Sequence, residues 1–281
     1  MRVVTNKQEL ASAMQATRAS VLVPTMGALH AGHASLIQQG AEIAERRNYD
    51  GGCVVTIFVN PTQFNEAADY QRYPKTLDAD LAICAANGAS CVIAPTPEMV
   101  YPPDETIPVP PLPEQATKPR LEDRLRPGHF EGVCQVVLRL FQLTKPKAAV
   151  FGEKDWQQLQ VVRAMTREQG LSIDIIPGAT IREEGGLAMS SRNRFLTPDE
   201  RTRALAVSRS LRSAGAEPSP HAAEQRLATD LAAAGIVPDY AVIRDAETLL
   251  APIAGRPMRA IVAGRVGTVR LLDNAPWPHP K

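Results

Sequence analysis

The sequence predicts an α/β protein: a doubly wound parallel sheet with helices on both faces, followed by a smaller C-terminal α/β domain. Three observations carry this expectation. Five short runs rich in Val and Ile, "SVLVPT", "GCVVTIFVN", "ASCVIAPT", "KAAVFGE" and "LSIDIIPG", have the unbroken apolar character of strands buried on both faces. Segments with apolar residues at helical spacing alternate with them, and such alternation builds crossover connections and a parallel sheet. After about residue 185 the alternation stops, and two helix-like segments precede three strand-like ones. We therefore expect domains at 1–185 and 186–281.

The elements follow in order. "GHASLIQQGAEIAERR", "TLDADLAICAANG", "GVCQVVLRLFQLT" and "DWQQLQVVRAMTREQG" space their apolar residues for helices, and two of them end at a glycine suited to a helix C-terminus. Residues 95 to 119 hold nine of the 24 prolines, which disfavours a regular helix or central strand and predicts an extended excursion. Beyond it, "TPDERTRALAVSRSLRSAG" and "SPHAAEQRLATDLAAAG" read as helices. "DYAVIRDAETL", "RAIVAGRVG" and "TVRLLDN" read as strands of an antiparallel sheet.

Composition excludes several function classes. With 31 Lys+Arg against 30 Asp+Glu the formal charge is +1, so no global field recruits nucleic acid or a membrane surface. A hydrophobic fraction of 44% and a charged fraction of 22% belong to a globular chain, and no apolar run is long enough for a membrane span. "MRVVTNKQEL" turns polar after Val4 with no apolar signal region, so the expectation is a cytoplasmic enzyme. Cys53, Cys84, Cys91 and Cys134 form no C-x-x-C pair and read as buried thiols.

Four stretches carry chemistry. In "VLVPTMGALHAGH" a strand ends near Pro24, Gly27 permits a turn, and Gly32-His33 opens a helix, whose first N–H groups sit at the positive end of the dipole and bind phosphate. His30 and His33, one turn apart, can donate to phosphate oxygens; an ordinary turn with one capping and one exposed histidine fits the spacing equally well. A zinc site of the metalloprotease kind needs histidines four apart around a glutamate, and the two commonest phosphate loops are missing. In "FVNPTQF", Asn60 and Gln63 are amides able to hold hydroxyls and a carboxylate, although N-P is also a plain turn signal. In "FGEKDWQQLQ", Gly152 permits a tight turn, Lys154 is a point charge for phosphate, Asp155 can bind ribose hydroxyls, and Gln158 lies one turn on. The alternative is a solvated helix start made by Glu153, Lys154 and Asp155. In "GLAMSSRNRFLTPDE", Ser190, Ser191 and Arg192 form either a loop closing over phosphates or an interdomain linker.

Together, "PTMGALHAGHASL", "IFVNPTQF", "YPKTLDADL", "RPGHFEGV", "FGEKDWQQL", "GLAMSSRNRFL" and "RLLDN" resemble the pantoate-β-alanine ligases in order and approximate spacing. The His-x-Gly-His element alone resembles only the wider nucleotidyltransferase superfamily that includes class I aminoacyl-tRNA synthetases. The resemblance implies a Rossmann-like first domain, a homodimer, and ATP, Mg²⁺, pantoate and β-alanine as ligands. It implies that Met26, Gly27, Ala28, Leu29, His30, Ala31, Gly32 and His33 form an ATP-binding segment with His33 as proton donor. Gly152, Glu153, Lys154 and Asp155 would form a second part. Met189, Ser190, Ser191 and Arg192 would be a mobile phosphate loop, and Ile181 a backbone contact to adenine. Gln63 and Gln158 would hold pantoate, with Gln63 also near β-alanine, and Asp80 would help to hold magnesium. Asp123 stands where many members have glycine, and residues 215 to 240 match no motif.

The activity so implied joins a hydroxy-acid carboxylate to a primary amine through an acyl adenylate, with His30, His33, Lys154, Arg192 and Mg²⁺ stabilising charge on the phosphates. No G-x-S-x-G occurs, and no cysteine lies within the site motifs, so catalysis rests on positioning and electrostatics. The competing readings are a nucleotidyltransferase acting on a phosphorylated acceptor, which gives Gln63 and Gln158 no role, and a nucleotide-binding module without turnover.

Overall fold

The computed structural model describes residues 1–64 and 67–278; the end of the expected C-terminal domain, 279–281, lies outside the described residues. Packing divides the chain into two units, Met1–Glu153 with Val161–Ala179, and Lys154–Gln160 with Thr180–Lys281. The second unit thus begins slightly ahead of residue 186 and also takes the segment after the fifth strand. The reason is local: strand β6 ends at Gly178, and the chain then forms a small turn closed by a bridge between Arg182 and Ala188.

The first unit is a six-stranded parallel sheet in the order β1-β4-β3-β2-β5-β6. Its strands are β1 (Arg2–Val4), β2 (Val21–Thr25), β3 (Cys53–Ile57), β4 (Ala89–Ile93), β5 (Ala148–Gly152) and β6 (Asp174–Gly178). The last five are the expected strands. β1 has only three residues, too few to show a period, and its existence depends on the edge of β4, which it pairs from Arg2↔Cys91 to Val4↔Ile93. β2, β3 and β5 are almost wholly buried, as their apolar runs require, whereas β6 at the sheet edge is only partly covered and tolerates Pro177.

The helices of this unit are α1 (Lys7–Gln15), α2 (Ala31–Arg46), α3 (Ala67–Arg72), α4 (Leu77–Ala86), α5 (Pro97–Val100), α6 (Glu122–Leu125) and α7 (His129–Thr144); α8 (Trp156–Glu168) begins in the second unit and ends in the first. Ile37, Ile43 and Ala44 of α2 pack on Val21, Val23, Val55 and Val150, so one helix face covers the central strands. The proline-rich excursion contains only α5 and a 3₁₀ turn at Glu114–Ala116. It is tied to α7, where Gln135 donates to Ile107 O and Arg139 to Val100 O. Asp123 fits its loop without a glycine, since its carboxylate accepts the N–H groups of Arg120 (2.9 Å) and Leu121 (2.7 Å).

From β2 the chain builds β3 and β4 on one side, then β5 and β6 on the other, so the strand order reverses at β2. Ligands in such sheets sit beyond the C-terminal strand ends at that reversal. Pro24 sharpens it. The β2–β3 ladder runs to Thr25↔Ile57, but the β2–β5 ladder covers only Val21↔Ala148 and Leu22↔Ala149. A proline has no N–H to give the β5 side, and the ladder ends before it. The sheet therefore parts where the first site motif begins.

The second unit is an antiparallel meander, β7 (Val237–Asp245), β8 (Met258–Val266) and β9 (Val269–Trp277), covered by α9 (Pro198–Ala214) and α10 (Pro220–Ala233). Both helices start as the sequence dictates. Thr197 and Glu200 form a capping box with Pro198 in the first turn, and Ser219 caps α10 ahead of Pro220. Leu211, Leu227, Leu231, Ile243 and Val262 are at most 2% exposed and form its core. The stretch from 215 to 240, unmatched by any motif, is α10 with its flanking turns and the start of β7. Among the described residues no helix is long and apolar enough to cross a membrane.

Gly132 of α7 lies tightly against the backbone of the turn after β3. A Cβ on Gly132 would stand 2.5 Å from Thr62 O and 2.8 Å from Gln63 N. Alanine gains about 1 kcal/mol over glycine in a helix, but a clash with backbone atoms costs roughly 3 kcal/mol. Gly132→Ala is therefore expected to destabilise the protein by about 2 kcal/mol in urea denaturation; a rise in stability would show that this contact yields easily.

Candidate active site

The turn from β2 into α2 is held by a buried carboxylate. Gly27 and Ala28 have positive φ, +79° and +51°, so the chain doubles back and aims successive N–H groups inward. Asp80, on α4 and 2% exposed, receives them: Oδ2 accepts Ala28 N–H (3.0 Å), and Oδ1 accepts Leu29 N–H (2.8 Å) and the Thr76 hydroxyl (3.1 Å). Glycine is needed at 27 because a Cβ there would lie 3.0 Å from Asp80 Oδ2 and 3.2 Å from Ile57 Cγ2. The resemblance implies that Asp80 helps to hold magnesium; in the structure both of its oxygens accept backbone N–H groups, so the carboxylate holds the turn.

The two histidines do more than stand at a helix start. His30 is the N-cap of α2 and its Nδ1 accepts Gly32 N–H (3.1 Å), while His33 Nδ1 accepts His30 N–H (3.3 Å). They form a capping box in which imidazoles replace the usual hydroxyl and carboxylate. A ring that accepts at Nδ1 carries its proton on Nε2. The half-buried rings lie 4.1 Å apart between centroids. Two Nε2–H donors are thus fixed at the positive end of a 16-residue helix. Ala28 and Leu29 are each 9% exposed.

At the end of β3 the expected amide pair divides. Asn60 is 1% exposed: Oδ1 accepts the Tyr101 hydroxyl (2.9 Å) and Thr62 Oγ1 (3.1 Å), and Nδ2 donates to Gly132 O (3.1 Å) and Gln63 Oε1 (3.2 Å). Its bonding capacity is taken up internally, so the structure makes Asn60 a support for Gln63 rather than a ligand-binding amide. Gln63 Nε2 contacts Met26 Sδ at 2.9 Å, and a thioether is a weak acceptor that a ligand oxygen readily replaces. Burial raises the Tyr101 phenol above its ordinary 10.0, against the hydrogen bonds with Thr62 and Asn60, and it stays a neutral donor.

A clamp that sequence reasoning missed grips the same residue from behind. The Gln63 carbonyl lies 3.0 Å from His129 Nδ1 and accepts from Arg126 Nη2 (3.4 Å), His129 Nε2 is 3.0 Å from Arg126 Nη1, and Arg126 pairs with Glu122 at 3.8 Å. The only signal for it was its place in the "RPGHFEGV" motif. The cysteines take no part. All are buried, and desolvation pushes Cys53 and Cys134 up to about 12 and Cys84 to about 11.

The remaining candidates belong to the second unit, except Gly152 and Glu153 at the end of β5. Lys154 pairs with the exposed Asp155 (3.3 Å), and Gln158 is half-buried on the first turn of α8. The segment carrying Ile181 and Met189 to Arg192 is a narrow turn: Met189 N–H donates to Ile181 O, and Glu183 N–H to Leu187 O. Ser190 caps the 3₁₀ turn Ser191–Phe195 by accepting Arg192 N–H (3.3 Å), leaving Arg192 exposed. Asn193, 2% exposed, anchors this turn to Glu183 (2.7 Å) and Ala188 O (3.0 Å), and Arg201 joins Glu183 to Asn193 O.

The Asp80 interaction gives a direct test. In Asp80→Asn one acceptor becomes an NH₂ group facing a backbone N–H, and a buried donor left unsatisfied costs about 2 kcal/mol. We expect that loss of stability in chemical denaturation; an unchanged midpoint would show that the turn holds without the carboxylate.

Comparison with known proteins agrees with this geometry. The family model described as Pantoate-beta-alanine ligase matches residues 2–276. A pantothenate synthetase from Nocardioides sp. is 45% identical over 286 residues, covering 96% of this chain and 83% of that protein. The crystal structure of pantothenate synthetase from Thermus thermophilus superposes with a TM-score of 0.88 at 39% identity and full coverage of both chains. That of the pantoate-beta-alanine ligase from Francisella tularensis, complexed with beta-gamma ATP and beta-alanine, gives 0.80 at 33% identity over 98% of this chain and 97% of that one. With motifs, sheet order and relatives in agreement along its length, the chain belongs to the pantoate-β-alanine ligase family and is an acid-amino-acid ligase of the pantothenate synthetase type.

Proposed function

We propose that this ligase activates pantoate as an acyl adenylate. A pantoate carboxylate oxygen attacks the α-phosphorus of ATP, the bond to the bridging oxygen breaks, and pyrophosphate departs. The uncharged amine of β-alanine then attacks the acyl carbon, the bond to AMP breaks, and the amine proton is lost to give pantothenate. The observation that carries this reading is the pair of Nε2–H donors held by the capping box at the start of α2. Charge gathers on phosphate oxygens in the first step, and fixed donors at a helix N-terminus stabilise it without reorganising. The bound ATP and β-alanine of the Francisella tularensis relative support the same substrates here.

The roles of the other residues follow from their chemistry. Gln63, held by Asn60 and by the His129–Arg126 clamp, exchanges the Met26 sulfur for a pantoate oxygen. Gln158 supplies the second amide. Lys154 and Arg192 bring positive charge to the phosphates, Ser190 and Ser191 add hydroxyls, Asp155 meets the ribose, and Ile181 offers backbone to adenine. Magnesium bound to the triphosphate would add positive charge where the phosphate oxygens gather negative charge. A homodimer in the cytoplasm, which the resemblance implies, completes the proposal.

Isotope exchange between pyrophosphate and ATP is expected to require pantoate but not β-alanine, because the first step is complete and reversible without the amine. Oxygen-18 in the pantoate carboxylate is expected in AMP after turnover. Release of ADP with label in inorganic phosphate would instead mean attack at the γ-phosphorus and would overturn the adenylate.

His33→Ala separates catalysis from capping. Losing the transition-state donor is expected to lower the exchange rate by about a hundred- to a thousandfold, while losing half of the capping box costs only about 1 kcal/mol of stability. Near-normal exchange by the folded variant would remove His33 from the chemistry.

A further inference from the structure

The "RLLDN" stretch of β9 closes with two polar residues that the reaction as described leaves without a role. Asp273 and Asn274 of β9 are each 3% exposed. Neighbours on a strand point to opposite faces, and these two reach different segments. Asn274 Nδ2 donates to Lys154 O (2.9 Å), while its Oδ1 accepts Arg259 Nε (2.5 Å). The Arg259 guanidinium lies over the Trp156 ring, 3.5 Å from its centroid, and Trp156 Nε1–H donates to Ala246 O (2.8 Å). The backbone that carries Lys154 is therefore fixed from both sides.

Asp273 works on the other segment. Its carboxylate takes Arg182 in a two-pronged pair, Nη1 at 2.6 Å and Nη2 at 3.0 Å, and accepts Asn274 N–H at 2.8 Å. The same Arg182 Nη1 donates to Gly186 O (3.0 Å). This holds the glycine turn that precedes Ser190–Arg192. A forked guanidinium fixes direction as well as distance. Asp273 and Asn274 thus tie two candidate phosphate-binding segments, far apart in sequence, to one strand.

We propose that Asp273 and Asn274 are positioning residues of the ligase reaction, Asn274 acting through Lys154 and Asp273 through the turn that leads to Arg192. The inference rests on the adenylate reading and adds to it how the two cations are aimed. A misplacement of about 1 Å can slow a reaction by up to a hundredfold although no reacting group is removed.

The test is a pair of double-variant cycles read by pantoate-dependent pyrophosphate exchange in the full chain. Asn274→Asp keeps the volume and the acceptor for Arg259 but turns an acceptor towards Lys154 O. Its kcat is expected to fall about ten- to a hundredfold with KM for pantoate unchanged. In a Lys154→Ala background the same substitution is expected to add no further loss, because its effect passes through the missing side chain. Asp273→Asn, a second variant that keeps shape, is expected to behave likewise with Arg192→Ala. Losses that multiply in both cycles, or a raised KM for pantoate, would overturn the positioning roles. If the unmutated protein shows no pantoate-dependent exchange, the adenylate reading itself fails; if Lys154→Ala is fully active, the adenylate stands and the positioning role of Asn274 through Lys154 is overturned, and both failures are seen before either cycle is measured.

Discussion

The carboxylate of Asp80 under the turn at Ala28 and Leu29 is the interaction on which the candidate segments of the first unit depend. Two successive N–H groups with positive or extended backbone around them would be costly to bury unpaired. Asp80 satisfies both at once, and with them the path of the chain from β2 into α2. His30 then falls at the N-cap and His33 one turn later, each ring locked by a backbone donor at Nδ1. The placing of both rings is set by a carboxylate on another helix. Gly27 completes the arrangement, since any larger residue would press on the Asp80 oxygen that makes it.

The sheet supplies the room for this turn. Pro24 ends pairing on the β5 side while β3 continues alongside, so the sheet parts at the strand-order reversal. A proline in a central strand normally weakens it, and here the missing donor falls on the β5 side, where the ladder has already ended. The end of β3 follows the same economy. Asn60, buried and saturated, stiffens the turn that presents Gln63, and His129 with Arg126 holds the Gln63 carbonyl.

The second unit reaches the same end by different means. Its helices are fixed by local capping, and its sheet by ordinary antiparallel pairing. The segments with candidate phosphate ligands are held by buried polar contacts: Asn274 to Lys154, Asp273 to Arg182, and Asn193 to Glu183. Asn193, directly after the Ser190–Arg192 segment, is bonded back to Glu183 and Ala188 ahead of it.

The sequence by itself determined the alternation of strands and helices, the caps at Thr197 and Ser219, and the placing of a His-x-Gly-His element where a buried strand gives way to a helix. Those features are local: burial on both faces demands apolar runs, and helix starts demand nearby acceptors. The three-residue β1 was invisible because it has no period of its own and takes its form from β4. Only the tertiary structure decided that Asp80 holds a turn 52 residues earlier, that Asn60 is consumed by Gly132 at a separation of 72, and that Asn274 holds Lys154 across 120. The physical reason is the same in each case. A buried polar side chain must first satisfy whatever donors and acceptors lie beside it, and the fold alone determines which those are.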